Sequence, residues 1–135
     1  MIWHRDIRVE FNHCDPAGIV FFPRYYEMLN SVIENFFREV LEAPWEYVTA
    51  VEGHGVPTVR LETDFRRPSR LGEVLRFGLQ VSALGRTSVD FALEAHAGDE
   101  LRLASRHRLV WVNRDGRPTP WPEALRSRLS ARVTP

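Results

Sequence analysis

Residues 11–26 read FNHCDPAGIVFFPRYY, a stretch that joins a strand pattern to a long helix pattern through a short turn. The turn contains Asp15, followed by proline, and Gly18. Proline biases the residue before it toward extended backbone, and glycine tolerates the positive φ of a tight turn. The apolar run 19–22 follows directly. We therefore expect the Asp15 carboxylate to be held in a fixed direction beside apolar side chains.

Hydrophobic periodicity predicts the elements on either side of this turn. Ile7, Val9 and Phe11 alternate with charged residues, as expected for a strand with one buried face. From about residue 24 to 41, apolar residues recur at three- and four-residue spacings, which predicts a long amphipathic helix. Four more alternating runs follow, and they begin near residues 59, 75, 89 and 101. A short helix over 123–129 is expected near the end of the chain.

The order of one strand, one long helix and four strands predicts the fold. The connections between the last four strands are short, which favours antiparallel neighbours. An antiparallel sheet with one apolar face can curl around a single amphipathic helix and bury both. We therefore expect an α+β fold, a five-stranded antiparallel sheet wrapped around one long helix. With 44% hydrophobic residues, residues 1–135 are expected to form a single domain.

Composition argues against several kinds of chemistry and partner. The 18 basic and 18 acidic residues balance, so neither a nucleic acid nor a membrane surface is an expected partner. Every basic residue is arginine, which excludes a catalytic lysine. Cys14 is the single cysteine, so neither an internal disulfide nor a cysteine-based zinc site is expected. The first residues lack the apolar stretch of a signal peptide, and we therefore predict a cytoplasmic location.

The string around Asp15 resembles the active-site segment of the 4-hydroxybenzoyl-CoA thioesterase family, whose members are acyl-CoA thioesterases with the hotdog fold. The shared pattern is an Asp-Pro-Ala-Gly-Ile-Val turn followed by aromatic residues and a tyrosine. Residues 43–45, the strand that begins near Pro57 and the segment 85–88 are also similar to the family. The resemblance implies a hotdog thioesterase domain that cleaves a thioester with water and needs no cofactor.

The resemblance assigns the chemistry to residues near the turn. Asp15 matches the family's catalytic aspartate, which acts either as a nucleophile or as a general base on water, and both routes stay open. The backbone N–H of Phe22, where the helix begins, matches a donor to the developing oxyanion. His13 would point the same way as Asp15 in an extended segment. It is then either a supporting residue that orients water or a solvent-facing loop histidine.

Four arginines are candidates for binding coenzyme A, because guanidinium groups pair with phosphates. They are Arg66, Arg67, Arg70 and Arg86. Arg86 is the best of the four, since it lies in a turn between two predicted strands and matches a basic position of the family. For the other three, a solvated surface arginine is the alternative.

The acyl group is expected to contact aromatic side chains near the turn and the helix. The candidates are Phe21, Phe22, Tyr25 and Trp45. These side chains suit a small aromatic or short acyl group, but they suit a hydrophobic core equally well. By resemblance, Asn30 on the helix faces the acyl pocket, and a surface amide is the alternative.

Other polar residues support weaker interpretations. His13 and Asp15 lack a third partner, so no metal site is expected. Cys14 would point away from Asp15 in an extended segment, which favours packing over a nucleophilic role. Ser105 and His107 share the parity of neighbouring leucines, so they are expected to face inward, His107 as a buried, hydrogen-bonded side chain.

Three functions remain open from the sequence. The leading one is hydrolysis of an aromatic or short-chain acyl-CoA to a carboxylic acid and free CoA. A hydratase or dehydratase acting on hydroxyacyl thioesters would use a histidine with a carboxylate elsewhere, and the Asp15 turn argues against it. A non-catalytic acyl-thioester binding protein would keep the fold without turnover. For all three functions, the predicted sheet has unpaired edge strands, so we expect a homo-oligomer. It would be a dimer or a dimer of dimers (homotetramer), in which a neighbouring subunit completes each site.

Overall fold

A computed structural model describes residues 1–134 and shows one antiparallel sheet with three helices. The strands are β1 (Trp3–Arg8), β2 (Thr58–Phe65), β3 (Val74–Leu84), β4 (Ser88–Ala97) and β5 (Glu100–Val110). The helices are α1 (Pro23–Glu39), α2 (Trp45–Ala50) and α3 (Glu123–Ser130). Across the sheet the order is β1-β3-β4-β5-β2, so β1 and β2 form its edges. The predicted α+β architecture is confirmed.

Helix α1 packs one apolar face against the sheet and supplies the middle of the core. It begins at Pro23, where the missing N–H of proline costs nothing because the first helical residue has no intrahelical acceptor. The buried face includes Phe36 and Phe37, whose rings contact Phe91 of β4 at centroid distances of 5.6 and 6.2 Å. The helix thus occupies the place that its three- and four-residue periodicity predicts.

Strand β1 ends earlier than the alternating pattern predicts. Val9 is buried, but Phe11 is 84% exposed and begins a single turn of 3-10 helix, Phe11–His13. Glu10 closes this turn, because its carbonyl accepts the His13 N–H and its own N–H donates to His13 Nδ1. The expectation that Phe11 lies on the buried face of the strand is therefore wrong. The chain leaves the sheet there and turns toward the start of α1.

A β-bulge at the start of β5 interrupts the alternation of inward and outward residues. Ala95 of β4 opposes Leu103, whereas the next residue, His96, opposes Leu101, so Arg102 is the extra residue on β5. A regular strand would turn Arg102 outward between two inward leucines. Instead it is only 8% exposed and lies against the connection of residues 66–73 that follows β2.

The C-terminal segment covers the end of the core at which β3 and β4 are joined. Trp111 and Trp121 stack at 5.4 Å, and His54 stacks on the other side of Trp111 at 4.8 Å. Trp121 Nε1 donates to the carbonyl of Ser88 at the start of β4. The short helix predicted over 123–129 is present as α3.

Candidate active site

Asp15 lies in a closed turn that directs its side chain. Its N–H donates to the carbonyl of Ile19, and the N–H of Gly18 donates to the carbonyl of Asp15, both at 3.0 Å. The side-chain Oδ1 accepts the N–H of Ala17 at 2.9 Å. Gly18 has φ +79°, a conformation that favours glycine. Within residues 1–134, Oδ2 of Asp15 has no hydrogen-bond partner, so one carboxylate oxygen is free for a ligand.

The turn is attached to the sheet through the connection of residues 66–73. The N–H of Val20 donates to the carbonyl of Ser69 at 2.9 Å, and the N–H of Leu71 donates to the carbonyl of Gly18 at 3.1 Å. These two bonds form a short antiparallel bridge beside Asp15. The position of the carboxylate therefore depends on the conformation of this connection.

The first turn of α1 leaves one backbone donor unpaired next to the Asp15 turn. Pro23 has no N–H, while the N–H groups of Arg24 and Tyr25 donate to the carbonyls of Phe21 and Phe22. The N–H of Phe22 itself has no acceptor in the part of the chain that the structure describes. A helix start with a free N–H and a favourable dipole is suited to bind a developing negative charge.

An aromatic wall stands beside the turn, formed by Phe21, Phe22, Tyr25, Tyr26 and Phe65. Phe65 ends β2 and contacts Phe22, Tyr25 and Tyr26 at centroid distances of 6.2, 5.7 and 6.4 Å. Tyr25 is buried, but Phe22 and Phe65 are 54% and 46% exposed. Phe65 is not among the acyl contacts that the sequence predicts. Its proximity to α1 arises from the pairing of β2 at the edge of the sheet.

His13 does not lie beside Asp15 in the way the sequence suggests. Residues 11–13 form a 3-10 turn rather than an extended segment, and His13 Nδ1 accepts the N–H of Glu10 at 2.9 Å. Its side chain borders an open groove together with Arg8 and Glu27. The extended geometry that would align His13 with Asp15 is therefore a wrong expectation.

Two of the residues predicted to contact the acyl group lie outside the aromatic wall. Trp45, the first residue of α2, is half-buried and packs on Phe37 at 5.7 Å in the core. Asn30 is exposed on α1. Within the described residues, no hydrogen bond or ring contact joins either side chain to the Asp15 turn.

The predicted arginines divide between the two ends of the sheet. Arg66, Arg67 and Arg70 are exposed on the connection that holds the Asp15 turn. Arg86 is exposed in the turn between β3 and β4, at the opposite end of β3. Since β3 has 11 residues, and a strand rises about 3.3 Å per residue, roughly 35 Å separates the two ends. One chain therefore does not bring Arg86 and Asp15 together.

Ser105 and His107 face inward on β5, as predicted, and form a buried polar chain with Thr63. Ser105 donates its single hydroxyl proton to the carbonyl of Glu62 at 3.0 Å. Its Oγ also lies within hydrogen-bond distance of Thr63 Oγ1 at 2.8 Å and of His107 Nε2 at 3.0 Å. Burial lowers the pKa of His107 to about 4, so the ring is neutral at pH 7.

The remaining polar side chains suggest neither a metal ligand set nor a thiol nucleophile. In residues 1–134, no group of three or more His, Cys, Asp and Glu side chains is placed to hold a metal ion. Cys14 is half-buried, with Sγ 3.5 Å from the carbonyl of Glu10. None of the helices over the same residues has the length and apolar character needed to cross a membrane.

Comparison with known proteins places this fold in one class, the hotdog-fold thioesterases. Residues 9–129 match the thioesterase-like superfamily, and the chain belongs to that superfamily. It is 28% identical over 122 residues to a 1,4-dihydroxy-2-naphthoyl-CoA hydrolase of Synechococcus elongatus, and the match covers 87% of each chain.

The resemblance to the 4-hydroxybenzoyl-CoA thioesterases is confirmed in sequence and in structure. The chain is 36% identical over 69 residues to the 4-hydroxybenzoyl-CoA thioesterase of Pseudomonas sp. strain CBS-3. That match covers 50% of this chain and spans about half, 49%, of the relative. The crystal structure of 4-hydroxybenzoyl-CoA thioesterase from Pseudomonas sp. strain CBS-3 is similar over 94% of this chain and 98% of its own, with a TM-score of 0.82 and 24% identity. This structural likeness shows the shared hotdog fold.

Proposed function

We propose that this chain hydrolyses the thioester of an aromatic or short-chain acyl-CoA to a carboxylic acid and free CoA. The observation that carries the proposal is the free Oδ2 of Asp15 beside a helix start whose Phe22 N–H is also free. A carboxylate and an oxyanion donor are the two groups that thioester hydrolysis requires. The names of the two relatives, which act on aromatic acyl-CoA thioesters, favour an aromatic acyl group.

In the proposed reaction the thioester carbonyl oxygen accepts the N–H of Phe22. Negative charge develops on this oxygen as the carbonyl becomes tetrahedral, and a donor of this kind lowers the barrier by about 3 kcal/mol. The dipole of α1 acts in the same direction. The donor is part of the backbone, so a side-chain substitution at position 22 changes its surroundings without removing it.

Asp15 supplies the attack on the carbonyl carbon by one of two routes. As a nucleophile, its carboxylate forms a C–O bond while the C–S bond breaks, and water then hydrolyses the mixed anhydride. As a general base, it takes a proton from the water molecule that attacks. In both routes the CoA sulfur leaves with the bonding electron pair and is protonated.

The aromatic wall is the proposed contact surface for the acyl group. Phe22 and Phe65 are partly exposed, so a flat acyl ring can pack against them, and each such ring contact contributes about 0.5–1.5 kcal/mol beyond burial. Tyr25 is buried and packs on the Phe65 ring at 5.7 Å. Trp45 is left out of the proposed acyl site, because it packs on Phe37 in the core. Asn30 is exposed on α1 and is a proposed acyl contact only where a second copy faces it.

We also propose that two copies of the chain pair through the edge strand β2. This strand pairs with β5 on one side only, and apolar side chains along it are exposed, among them Val59 and Leu61. An exposed apolar edge is normally covered in the native state. Antiparallel pairing of β2 with the β2 of a second copy satisfies the backbone and covers these side chains.

This pairing also explains how Arg86 can serve the same substrate as Asp15. Thr58 at the start of β2 lies at the same end of the sheet as the β3–β4 turn, and Phe65 lies at the other end. In an antiparallel pair, the start of one β2 lies beside the end of the other. The Arg86 turn of the second copy then lies at the Asp15 end of the first, where its guanidinium can bind a CoA phosphate.

The three arginines of the connection are proposed as further contacts for the CoA phosphates. They are Arg66, Arg67 and Arg70, and all are exposed on the segment that holds the Asp15 turn. Each alone would contribute little in water, but several guanidinium groups around one pyrophosphate raise the affinity together.

A panel of aromatic, short-chain and long-chain acyl-CoA thioesters tests the proposal, with release of free thiol as the measurement. Fastest release from an aromatic or short-chain thioester is the expected result. Binding without thiol release would instead indicate a binding protein. Addition of water to an enoyl-CoA, measured as the loss of its ultraviolet absorbance, would indicate a hydratase. A cytoplasmic location is part of the same proposal, and fractionation of cells tests it.

A further inference from the structure

An ion pair lies behind the connection on which the Asp15 turn docks. We propose that Arg102 and Glu73 position Asp15 for catalysis by fixing the conformation of residues 66–73. This inference rests on the proposed function, and it adds two positioning residues that do not touch the substrate. Neither residue is visible as part of the site in the sequence, because Arg102 is buried only through the bulge in β5.

The two terminal nitrogens of the Arg102 guanidinium contact both Glu73 and the connection. Nη1 and Nη2 donate to the two carboxylate oxygens of Glu73 at 2.9 and 2.8 Å, in the bidentate arrangement. Nη1 also lies within hydrogen-bond distance of the carbonyl of Pro68 at 3.0 Å and Oγ of Ser69 at 3.2 Å. Nε lies 2.7 Å from Glu100 Oε1, but its N–H is not directed at that oxygen, so this contact is an ion pair rather than a hydrogen bond.

Glu73 ties this guanidinium to the backbone of the connection. Its Oε1 accepts the N–H of Arg70 at 2.7 Å in addition to the bond from Arg102. These donors lower the pKa of Glu73 to about 2, the Arg102 guanidinium first and the Arg70 N–H second. The start of the connection is held as well, because the N–H groups of Arg66 and Arg67 donate to the carbonyl of Arg102.

The middle of the connection in turn holds the Asp15 turn. Ser69, whose hydroxyl contacts Arg102, accepts the N–H of Val20 through its carbonyl, and Leu71 donates to the carbonyl of Gly18. In residues 1–134, these are the two backbone hydrogen bonds that join the Asp15 turn to another part of the chain. The route from Arg102 to the turn therefore passes through two neighbouring residues, Ser69 and Arg70.

A charged pair at this place is better explained by geometry than by stability. Removing a guanidinium and a carboxylate from water costs free energy, and a well-packed apolar pair often stabilises a protein as much or more. A bidentate pair, in contrast, fixes the angle and the distance between two segments. A shift of about 1 Å in a catalytic group can cost about a hundredfold in rate. The ion pair should therefore affect the rate, through the position of Asp15, more than it affects the stability of the fold.

Glu73→Gln tests the inference, with Asp90→Asn as the matched control. Asp90 of β4 also pairs with an arginine in bidentate fashion, accepting from Arg108 Nε at 2.7 Å and Nη2 at 3.0 Å. It alternates with the buried Val89 and Phe91, so it lies on the outer face of the sheet. We expect Glu73→Gln to lower kcat at least about tenfold with KM changed less than about threefold, as for a misplaced catalytic group. Asp90→Asn should change neither. Arg102→Lys keeps the positive charge but cannot make the bidentate contact, so its kcat should lie between those of the wild type and Glu73→Gln.

Hydrogen exchange supplies a readout that does not depend on activity. In folded Glu73→Gln, the amide of Val20 should exchange faster than in the wild type, whereas in Asp90→Asn it should not. If the wild type cleaves no acyl-CoA, the proposed function fails, and the exchange result still decides whether the ion pair holds the turn. Wild-type kcat together with wild-type exchange in Glu73→Gln would overturn the inference, as would equal losses in both variants. If Glu73→Gln does not fold, Arg102→Lys is measured in its place by the same two criteria.

Discussion

The buried His107 should make the stability of this protein depend on pH between about 6.5 and 4. The residue is 6% exposed, and its Nε2 is hydrogen-bonded to Ser105 Oγ at 3.0 Å. Burial lowers its pKa from the ordinary 6.5 to about 4, so the unfolded chain binds a proton more readily than the folded one. The stability that the neutral ring contributes is therefore complete above pH 6.5 and is lost as the pH falls toward 4.

The magnitude follows from the size of the shift. Each pKa unit corresponds to about 1.4 kcal/mol, so the complete loss is about 3 kcal/mol, and about 2 kcal/mol of it should be lost by pH 5. That is a large fraction of the stability of a typical domain. Urea unfolding at pH 7.5 and at pH 5.0 measures it, at one protein concentration because an oligomer unfolds in a concentration-dependent way.

The comparison that isolates His107 uses two variants. His107→Gln should be less stable than the wild type at pH 7.5, but its free energy of unfolding should fall by about 2 kcal/mol less between the two pH values. His4→Gln, at an exposed position on β1, should keep the full pH dependence of the wild type. If His107→Gln and the wild type lose the same free energy between pH 7.5 and 5.0, the reasoning about the buried ring is refuted.

Three further predictions concern the shared site and the positioning of Asp15. Arg86→Ala should raise KM for complete acyl-CoA far more than for a truncated thioester that lacks the nucleotide, and equal effects on the two would show that Arg86 does not bind phosphate. Leu61→Glu should give a monomeric, inactive protein by light scattering during size-exclusion chromatography, whereas Val51→Glu, an exposed apolar control, should keep the oligomer. A monomeric mass for the active wild type would contradict the pairing through β2. Glu73→Gln should lower kcat with little change in KM, as argued above.

The fold could be predicted from the sequence because its elements follow simple periodicities. The buried residues of α1 recur at helical spacing, and the strands after it alternate, so the layer order follows from burying both apolar faces. The Asp15 turn could also be predicted, since the proline and Gly18 restrict the backbone locally. These features depend on residues close together in the chain.

The rest of the site depends on tertiary structure and could not be read from local patterns. Arg102 is buried by a bulge, which a regular alternation does not predict. Phe65 contacts the start of α1 because of the strand order. His13 lies in a 3-10 turn, which the residues around it do not predict. Arg86 and Asp15 belong to one family pattern, yet the length of β3 separates them within a chain. Strand order and bulges are properties of the whole sheet, so they enter only with the structure.

The central claim is that Asp15 carries the hydrolysis, and the rate of Asp15→Asn tests it most directly. An asparagine keeps the Oδ1 that accepts the Ala17 N–H, so the turn and the fold should survive the change. It can neither take a proton nor attack the carbonyl carbon, so thiol release from the best acyl-CoA substrate should fall at least about a hundredfold. Asp115→Asn, at an exposed position in the turn after β5, serves as the control and should keep most of the activity. Thiol release at the wild-type rate from correctly folded Asp15→Asn would contradict the account.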